Sequence, residues 1–317
     1  MRALHMVALA ITFIIGSAGA QSLSSLIAPS APARIEISLA YLGNAGWQIT
    51  DGKTLLIIDP YITQFRHPPS PATTGRPSDP QTMIAPDTEG IDARIRRAEY
   101  ILVTHGHLDH ALDAPYIAKK TGATIIGNET VANLARAYDV PDAQLVVVRG
   151  GEDYEFGALS LRVIPSIHTA LFHKHYFNSR LAGNAPPGLK APLKAGDFVE
   201  GQSMAYLLRL AGHQVLVMGS MNYIEREMEG LRPDIALVGA NNERSEIFDY
   251  TGRLMRALGY PPLVMPTHWD GYGYAPLREQ SLVAAHQFAD EVTAASPKTK
   301  VIIPEYFRAN HRPVIRA

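Results

Sequence analysis

Tyr100-Ile101-Leu102-Val103-Thr104-His105-Gly106-His107-Leu108-Asp109-His110 is the stretch on which the reading of this chain turns. Its first five residues read as a buried strand, so the polar cluster begins where a strand ends and a loop starts. The last six residues hold four metal-ligand side chains. Two imidazoles spaced by one residue can converge on a cation once the chain leaves the strand. Asp109 and His110 then point elsewhere, which suits a second cation. Imidazole nitrogen and carboxylate oxygen are ligands that zinc accepts, and a site short of protein ligands keeps room for water. A solvated turn carrying histidines by chance is hard to reconcile with such density.

The chain has 317 residues, 46% hydrophobic and 19% charged, which suits a globular protein with a sizeable core. With 29 basic and 30 acidic residues the net charge is −1, and there is no basic excess of the kind that binds nucleic acid. The N-terminus reads as a signal peptide over residues 1–20: a positive start at Arg2, an apolar run from Met6 to Ile15, and the small-residue cleavage pattern Ala18-Gly19-Ala20. The apolar run is short for a retained bilayer anchor, and no second long run follows. The expectation is export to the periplasm or medium, with no stable membrane span after cleavage. Zero cysteines fits export and also removes thiolate ligands.

Residues 21–33 read as a flexible lead-in and 34–317 as one domain. Ile35 to Tyr41, Trp47 to Thr50 and Thr54 to Ile58 read as strands joined by turns at Gly43–Gly46 and Asp51-Gly52. Gln64 to Gly90 carries prolines 68, 69, 71, 77, 80 and 86, which exclude a helix or inner strand there. It is expected to be either a flap near the site or a loosely ordered surface loop. Asp92 to Ala98, Ala111 to Thr121 and Glu129 to Tyr138 read as helices around a short strand Ala123 to Ile126. Strands follow from Leu145 to Ile167, and 176–196 is a second Gly/Pro-rich loop. The remainder reads as strands at Ser203 to Leu210, Gln214 to Met218, Ile235 to Val238 and finally Lys300 to Ile303. Helices are expected near Tyr223 to Gly230, at 251–258 and at 278–290. Strands followed by helices twice over suggest an α+β, four-layer αβ/βα sandwich, two mixed sheets face to face with helices outside.

His168 follows the strand Leu161 to Ile164, and His268 follows Leu263-Val264-Met265. Each is a histidine just past an apolar strand, the setting of His105, and the first cluster needs ligands from elsewhere to close a site. On Leu42-Gly43-Asn44-Ala45-Gly46, Leu56-Ile57-Ile58-Asp59-Pro60, the HxHxDH run, the His168 segment and Pro266-Thr267-His268, the sequence resembles the metallo-β-lactamase superfamily. The resemblance spans roughly Ile35 to His268. It implies the four-layer sandwich with the site at one edge between the sheets. It implies one metal on His105, His107 and His168, and another on Asp109, His110 and His268.

One departure matters. Most hydrolases of the superfamily place a metal-bridging aspartate after the strand equivalent to Val215 to Met218, where this chain reads Gly219-Ser220-Met221-Asn222. Either the second metal is weak or absent, or two metals are bridged only by hydroxide, as in the true β-lactamases. The full ligand set favours two, most simply zinc, with iron or manganese open. A divalent metal lowers the pKa of bound water to about 7, giving a hydroxide nucleophile that Asp109 would orient. With one carboxylate fewer, the site should favour an anionic small-molecule substrate.

Asp59 is either a support hydrogen-bonded to a ligand histidine or a plain strand-ending residue, and Asp270 is open in the same way. His173 and His175 could touch substrate, but a solvated loop is the simpler place for them. Tyr61, Trp47 and Trp269 read as core or cleft wall, and His67, His213, His286 and His311 as surface; His5 leaves with the signal. The leading expectation is an exported metal-dependent hydrolase acting on a lactam, lactone or other ester. A phosphodiesterase of the same fold, a non-catalytic periplasmic metal-binding protein and an iron-dependent redox member are the competing ones. Oligomeric state is not legible.

Overall fold

The first sheet is built from the segments that carry the motif strand. In chain order its early strands are β1 (Ile37–Gly43), β2 (Gly46–Thr50) and β3 (Leu55–Ile58). A two-residue strand β4 (Met83–Ile84) lies outside it, followed by β5 (Tyr100–Leu102), β6 (Thr124–Gly127) and β7 (Leu145–Val147). The second sheet begins with β8 (Asp153–Phe156) and β9 (Leu159–Pro165). After a short β10 (Leu193–Lys194) it continues with β11 (Met204–Leu210), β12 (His213–Met218), β13 (Ile235–Gly239), β14 (Leu263–Thr267) and β15 (Lys300–Val301). The last strand, β16 (Ala309–Arg312), returns to the first sheet and pairs with β1.

The strand orders are β16-β1-β2-β3-β5-β6-β7 and β15-β14-β13-β12-β11-β9-β8. Both sheets are mixed, with β3, β5, β6 and β7 parallel in the first and β12 to β15 parallel in the second. This computed structural model describes residues 36–65, 79–169, 182–270 and 275–312, within the contact unit Arg34–Ala317. The proposed signal peptide and lead-in lie outside the described residues, as do His67, His173 and His175.

Alternation along the strands explains the layering. Leu56, Ile58, Leu102 and Ile126 join the core shared with the second sheet, together with Leu161, Val163, Tyr206 and Leu208. Their neighbours Ile57, Ile101, Val103 and Ile125 face the other way. There they meet Ile117 and Ala118 of one helix and Val131 and Leu134 of the next. A strand apolar on both faces is what a sheet covered on both sides requires. Hydrogen bonds also tie the sheets directly: the Tyr206 hydroxyl donates to the Val103 carbonyl at 2.8 Å, and the Trp47 indole N–H donates to Thr267 Oγ1 at 3.0 Å.

The helices differ from the sequence reading in instructive ways. α1 runs Thr88–Arg94 rather than Asp92 to Ala98, because the buried Ile95 adopts an extended conformation and ends it. The expected helix from Ala111 to Thr121 is two, α2 (Leu108–Ala111) and α3 (Ala114–Thr121). Pro115 cannot donate to the Ala111 carbonyl and would clash with it, so the run breaks there. α4 (Glu129–Ala137) starts where Asn128 accepts the Val131 N–H at 2.9 Å. α5 is only Glu225–Met228, α6 is Tyr250–Ala257 and α7 extends over Ala275–Ala295.

The two expected loops are partly structured. β4 and the first turn of α1 fall inside 64–90, and β4 pairs with β10, which falls inside 176–196. Pairing between two irregular segments far apart in sequence leaves no periodic trace. Lys300 to Ile303 is not the final strand either; Asn310 and His311 give β16 no apolar run, yet it closes the edge beside β1. His213 is buried at the start of β12 rather than on the surface, whereas His286 and His311 are exposed.

Asp113, between α2 and α3, is fully buried and accepts the Thr63 N–H at 3.0 Å and the Thr63 hydroxyl at 2.5 Å. Burial pushes its pKa up to about 7 despite these donors. A folded-state value above the unfolded one means that the folded protein binds the extra proton, so stability from this group falls as pH rises from about 4 to about 7. Asp113→Asn should therefore gain thermal stability relative to wild type between pH 5 and pH 8. A difference that stays constant or shrinks over that interval would contradict the assignment.

Candidate metal centre

The six expected ligands come from three places in the chain and meet at the carboxyl ends of strands from both sheets. His105, His107, Asp109 and His110 follow β5, His168 follows β9, and His268 follows β14. Loops leaving the carboxyl ends of parallel strands are the usual ligand-binding edge of such sheets. His105, His107 and His168 form one group and Asp109, His110 and His268 another, with the ligand atoms of each group within 4.8 Å of one another. His105, His107, Asp109, His110 and His168 are buried, and His268 is partly open, with 13% of its side chain exposed.

Hydrogen bonds settle which nitrogen of most of the rings is offered. His110 Nδ1 lies 2.9 Å from Asp59 Oδ2, which leaves Nε2 facing inward, 3.4 Å from Asp109 Oδ2. His105 Nδ1 lies 3.1 Å from the Thr104 hydroxyl, leaving its Nε2, which is 3.1 Å from His107 Nδ1. His168 Nδ1 points at the Thr169 carbonyl at 3.0 Å, so Nε2 remains. His268 Nε2 lies 3.4 Å from Asp109 Oδ2, the same oxygen that His110 approaches. Ring nitrogens held from behind by carboxylate, carbonyl or hydroxyl are the arrangement seen at metal-ligating histidines.

Protonation fits the same reading. Burial, reinforced by the neighbouring imidazoles, holds His105 well below the usual histidine range, and burial pushes His168 down to about 4. Both rings are therefore neutral, the form that binds a cation. Burial opposes charge on His110 too, but Asp109 and Asp59 outweigh it and raise the ring to about 9. Carboxylates that favour a proton there would favour a bound cation for the same Coulombic reason. Six converging nitrogen and oxygen donors with no thiolate fit divalent zinc, iron or manganese.

Asp59 is the support of both groups. Its carboxylate accepts the Thr104 N–H at 2.7 Å and the Thr104 hydroxyl at 2.6 Å, besides His110 Nδ1. Through the Thr104 hydroxyl it reaches His105 of the first group, and directly it holds His110 of the second. Asp59 has φ +40°, a left-handed conformation that Asp tolerates better than most residues. Gly219 presses against this pair, and a Cβ there would overlap the Thr104 hydroxyl and come within 2.7 Å of Asp59 Oδ2.

Asp270 also supports the site. It accepts the Asn44 N–H at 2.9 Å and the Tyr306 hydroxyl at 2.6 Å. Asn44 in turn donates through Nδ2 to the Asp109 carbonyl at 2.9 Å and to Asp109 Oδ2 at 3.2 Å. The His268 N–H donates to the Asn44 carbonyl at 2.6 Å, and His268 itself has φ +54°. Ser220 stands beside the first group, its hydroxyl accepting the Thr169 N–H at 2.8 Å. Trp47, Tyr61 and Trp269 are buried. Sequence reasoning assigned no role to Thr104, Asn44 or Tyr306. Asn44 and Thr104 lie inside motifs it quoted, but only their hydrogen bonds reveal what they do.

A family model described as a beta-lactamase superfamily domain matches residues 38–268. A UPF0173 metal-dependent hydrolase of Heliobacterium modesticaldum is 27% identical over 269 residues, covering 81% of this chain and 91% of the relative. The metallo hydrolase Igni18 of Ignicoccus hospitalis has a similar fold, with TM-score 0.57 and 17% identity, over 87% of this chain and 98% of that one. CmlA of Streptomyces venezuelae, a diiron β-hydroxylase, matches with TM-score 0.55 and 14% identity over 90% of this chain and 55% of its own.

Replacing Asp59 by Asn keeps the shape and removes the charge that orients His105 and His110. Asp59→Asn should weaken divalent-metal affinity about 10- to 100-fold, measured by competition with a chromogenic chelator. Unchanged affinity would mean that the histidines are oriented without it.

Proposed function

We propose a reaction from the premise that this chain belongs to the beta-lactamase superfamily: it is a metal-dependent hydrolase, and it cleaves a small-molecule lactam, lactone or other ester. The observation that carries this is the pairing of two three-ligand groups in one buried pocket, both oriented by Asp59. His105, His107 and His168 would hold one divalent cation, and Asp109, His110 and His268 the other. Such cations supply Lewis acidity and an activated water near neutral pH.

The chain's own residues do the rest. Asp109 is the one carboxylate inside either group, and Asn44 Nδ2 fixes its Oδ2 between His110 and His268. It is thereby placed to orient an attacking water. Asp59 and Asp270 hold the two ligand loops so that little reorganisation is needed when charge develops on the substrate.

The preference for a carbonyl rests on Ser220, which leaves the usual bridging-carboxylate position neutral. Zinc is the proposed cation, two equivalents per chain. Export to the periplasm or medium is proposed from Arg2, the Met6–Ile15 run and Ala18-Gly19-Ala20. Among the described residues no helix is long and apolar enough to cross a membrane.

Protein purified without chelators should contain about two metal equivalents and turn over esters or lactones in a panel that includes phosphodiesters. His107→Ala should lower that turnover at least about 100-fold together with metal content. Turnover of phosphodiesters alone would replace the substrate class. Tight metal binding with no turnover would favour a metal-binding protein without catalysis, and iron with oxygen-dependent chemistry would favour a redox role.

A further inference from the structure

The last part of the chain changes sheets: β15 pairs with β14 in the second sheet, and β16 pairs with β1 in the first. Residues 302–308 make the crossing. The Ile302 N–H donates to the Val264 carbonyl at 3.1 Å at one end, and the Phe307 N–H to the Tyr41 carbonyl at 2.8 Å at the other. Tyr306 stands between these anchors, past every expected ligand in the sequence. Its ring stacks on Tyr41 at 5.5 Å between centroids and meets Phe65 edge-on at 5.4 Å. The Arg278 guanidinium lies 5.4 Å from the ring centroid, within cation–π range. Packing thus holds the ring without help from its hydroxyl.

The hydroxyl is used elsewhere. It donates to Asp270 Oδ2 at 2.6 Å, the short length expected of an O–H donor on a carboxylate. Asp270 is fully buried, so its oxygens depend on the donors the fold supplies. The same oxygen accepts the Asn44 N–H at 2.9 Å. Asn44, with φ +54°, reaches Asp109 Oδ2 through Nδ2 at 3.2 Å, and its carbonyl accepts the His268 N–H at 2.6 Å. The relay therefore ends on two members of the second ligand group, one from each sheet. In the first group, the Thr104 hydroxyl holds His105 and the Thr169 carbonyl holds His168.

We propose that Tyr306 is a positioning residue for the cation held by Asp109, His110 and His268. The assignment rests on the two-cation reading above. Tyr306 touches neither cation. Its hydroxyl orients Asp270, Asp270 orients the Asn44 turn, and Asn44 sets Asp109 against His268. Without the hydroxyl, Asp270 Oδ2 is one donor short and the turn is less firmly held. Asp109 Oδ2 then loses its fixed place between His110 and His268, and the cation there is bound more weakly. The two sites thus answer to different supports: Asp59 reaches both groups, whereas the Tyr306 relay ends on the second.

Zinc titration of the full chain against a competing chelator, with elemental analysis, tests this. Wild type and the Arg308→Gln control, an exposed position in the same segment, should bind two equivalents. Tyr306→Phe should hold the first as wild type does and bind the second about tenfold or more weakly. Cobalt(II) gives a spectroscopic readout: the visible bands of the second equivalent should shift in Tyr306→Phe, and those of the first should not. Should Tyr306→Phe fail to fold, Asp270→Asn is titrated in its place, with the same selective loss expected. A variant that binds both equivalents with wild-type affinity, or weakens both alike, overturns the assignment and leaves the hydrolase reading intact. A wild type that binds a single equivalent in excess zinc overturns the two-cation reading together with it.

Discussion

The Asp59 carboxylate is the interaction on which the site depends. Two parallel strands, β3 and β5, end side by side, so the residue after one strand faces the residues after the other. Asp59 closes that junction with its N–H on the Leu102 carbonyl at 2.9 Å and its carboxylate on the backbone and side chain of Thr104. Geometry at the junction then becomes chemistry, because the same carboxylate presents His110 and, through the Thr104 hydroxyl, His105. A buried carboxylate with three donors has its charge well compensated, and that compensation makes its position hard to change.

The rest of the architecture brings the second half of the ligand set to that junction. His168 and His268 belong to the other sheet, and their placement relies on contacts between sheets. The Trp47 indole holds Thr267, the Met204 N–H donates to the Thr104 carbonyl at 2.9 Å, and Asp270 holds the Asn44 turn. The apolar layer between the sheets supplies the driving force for this approach, and the polar ties fix its register. Two of the non-glycine residues with positive φ, Asp59 and His268, stand at the edge where the ligands meet.

Much of this was legible residue by residue. The strand before His105 is apolar on both faces, which already implies a sheet covered on both sides, and the HxHxDH run is dense enough to mean metal. What escaped were features with no local periodicity. The β4–β10 ribbon joins two proline- and glycine-rich loops, β16 carries polar residues at a sheet edge, and Pro115 splits what reads as one helix.

By itself, then, the sequence determined the alternation of strands and helices, the clustering of imidazoles after one strand and the absence of an acid at Ser220. These are short-range facts, and apolar spacing and ligand density express them directly. The resemblance implies that His168 and His268 join two different groups, and the tertiary structure is what brings them there. Only the tertiary structure decided which face of most ligand rings is offered, and that Asp59 serves both groups. Each of these depends on donors and acceptors many residues apart being brought within about 3 Å, a distance that no local pattern encodes.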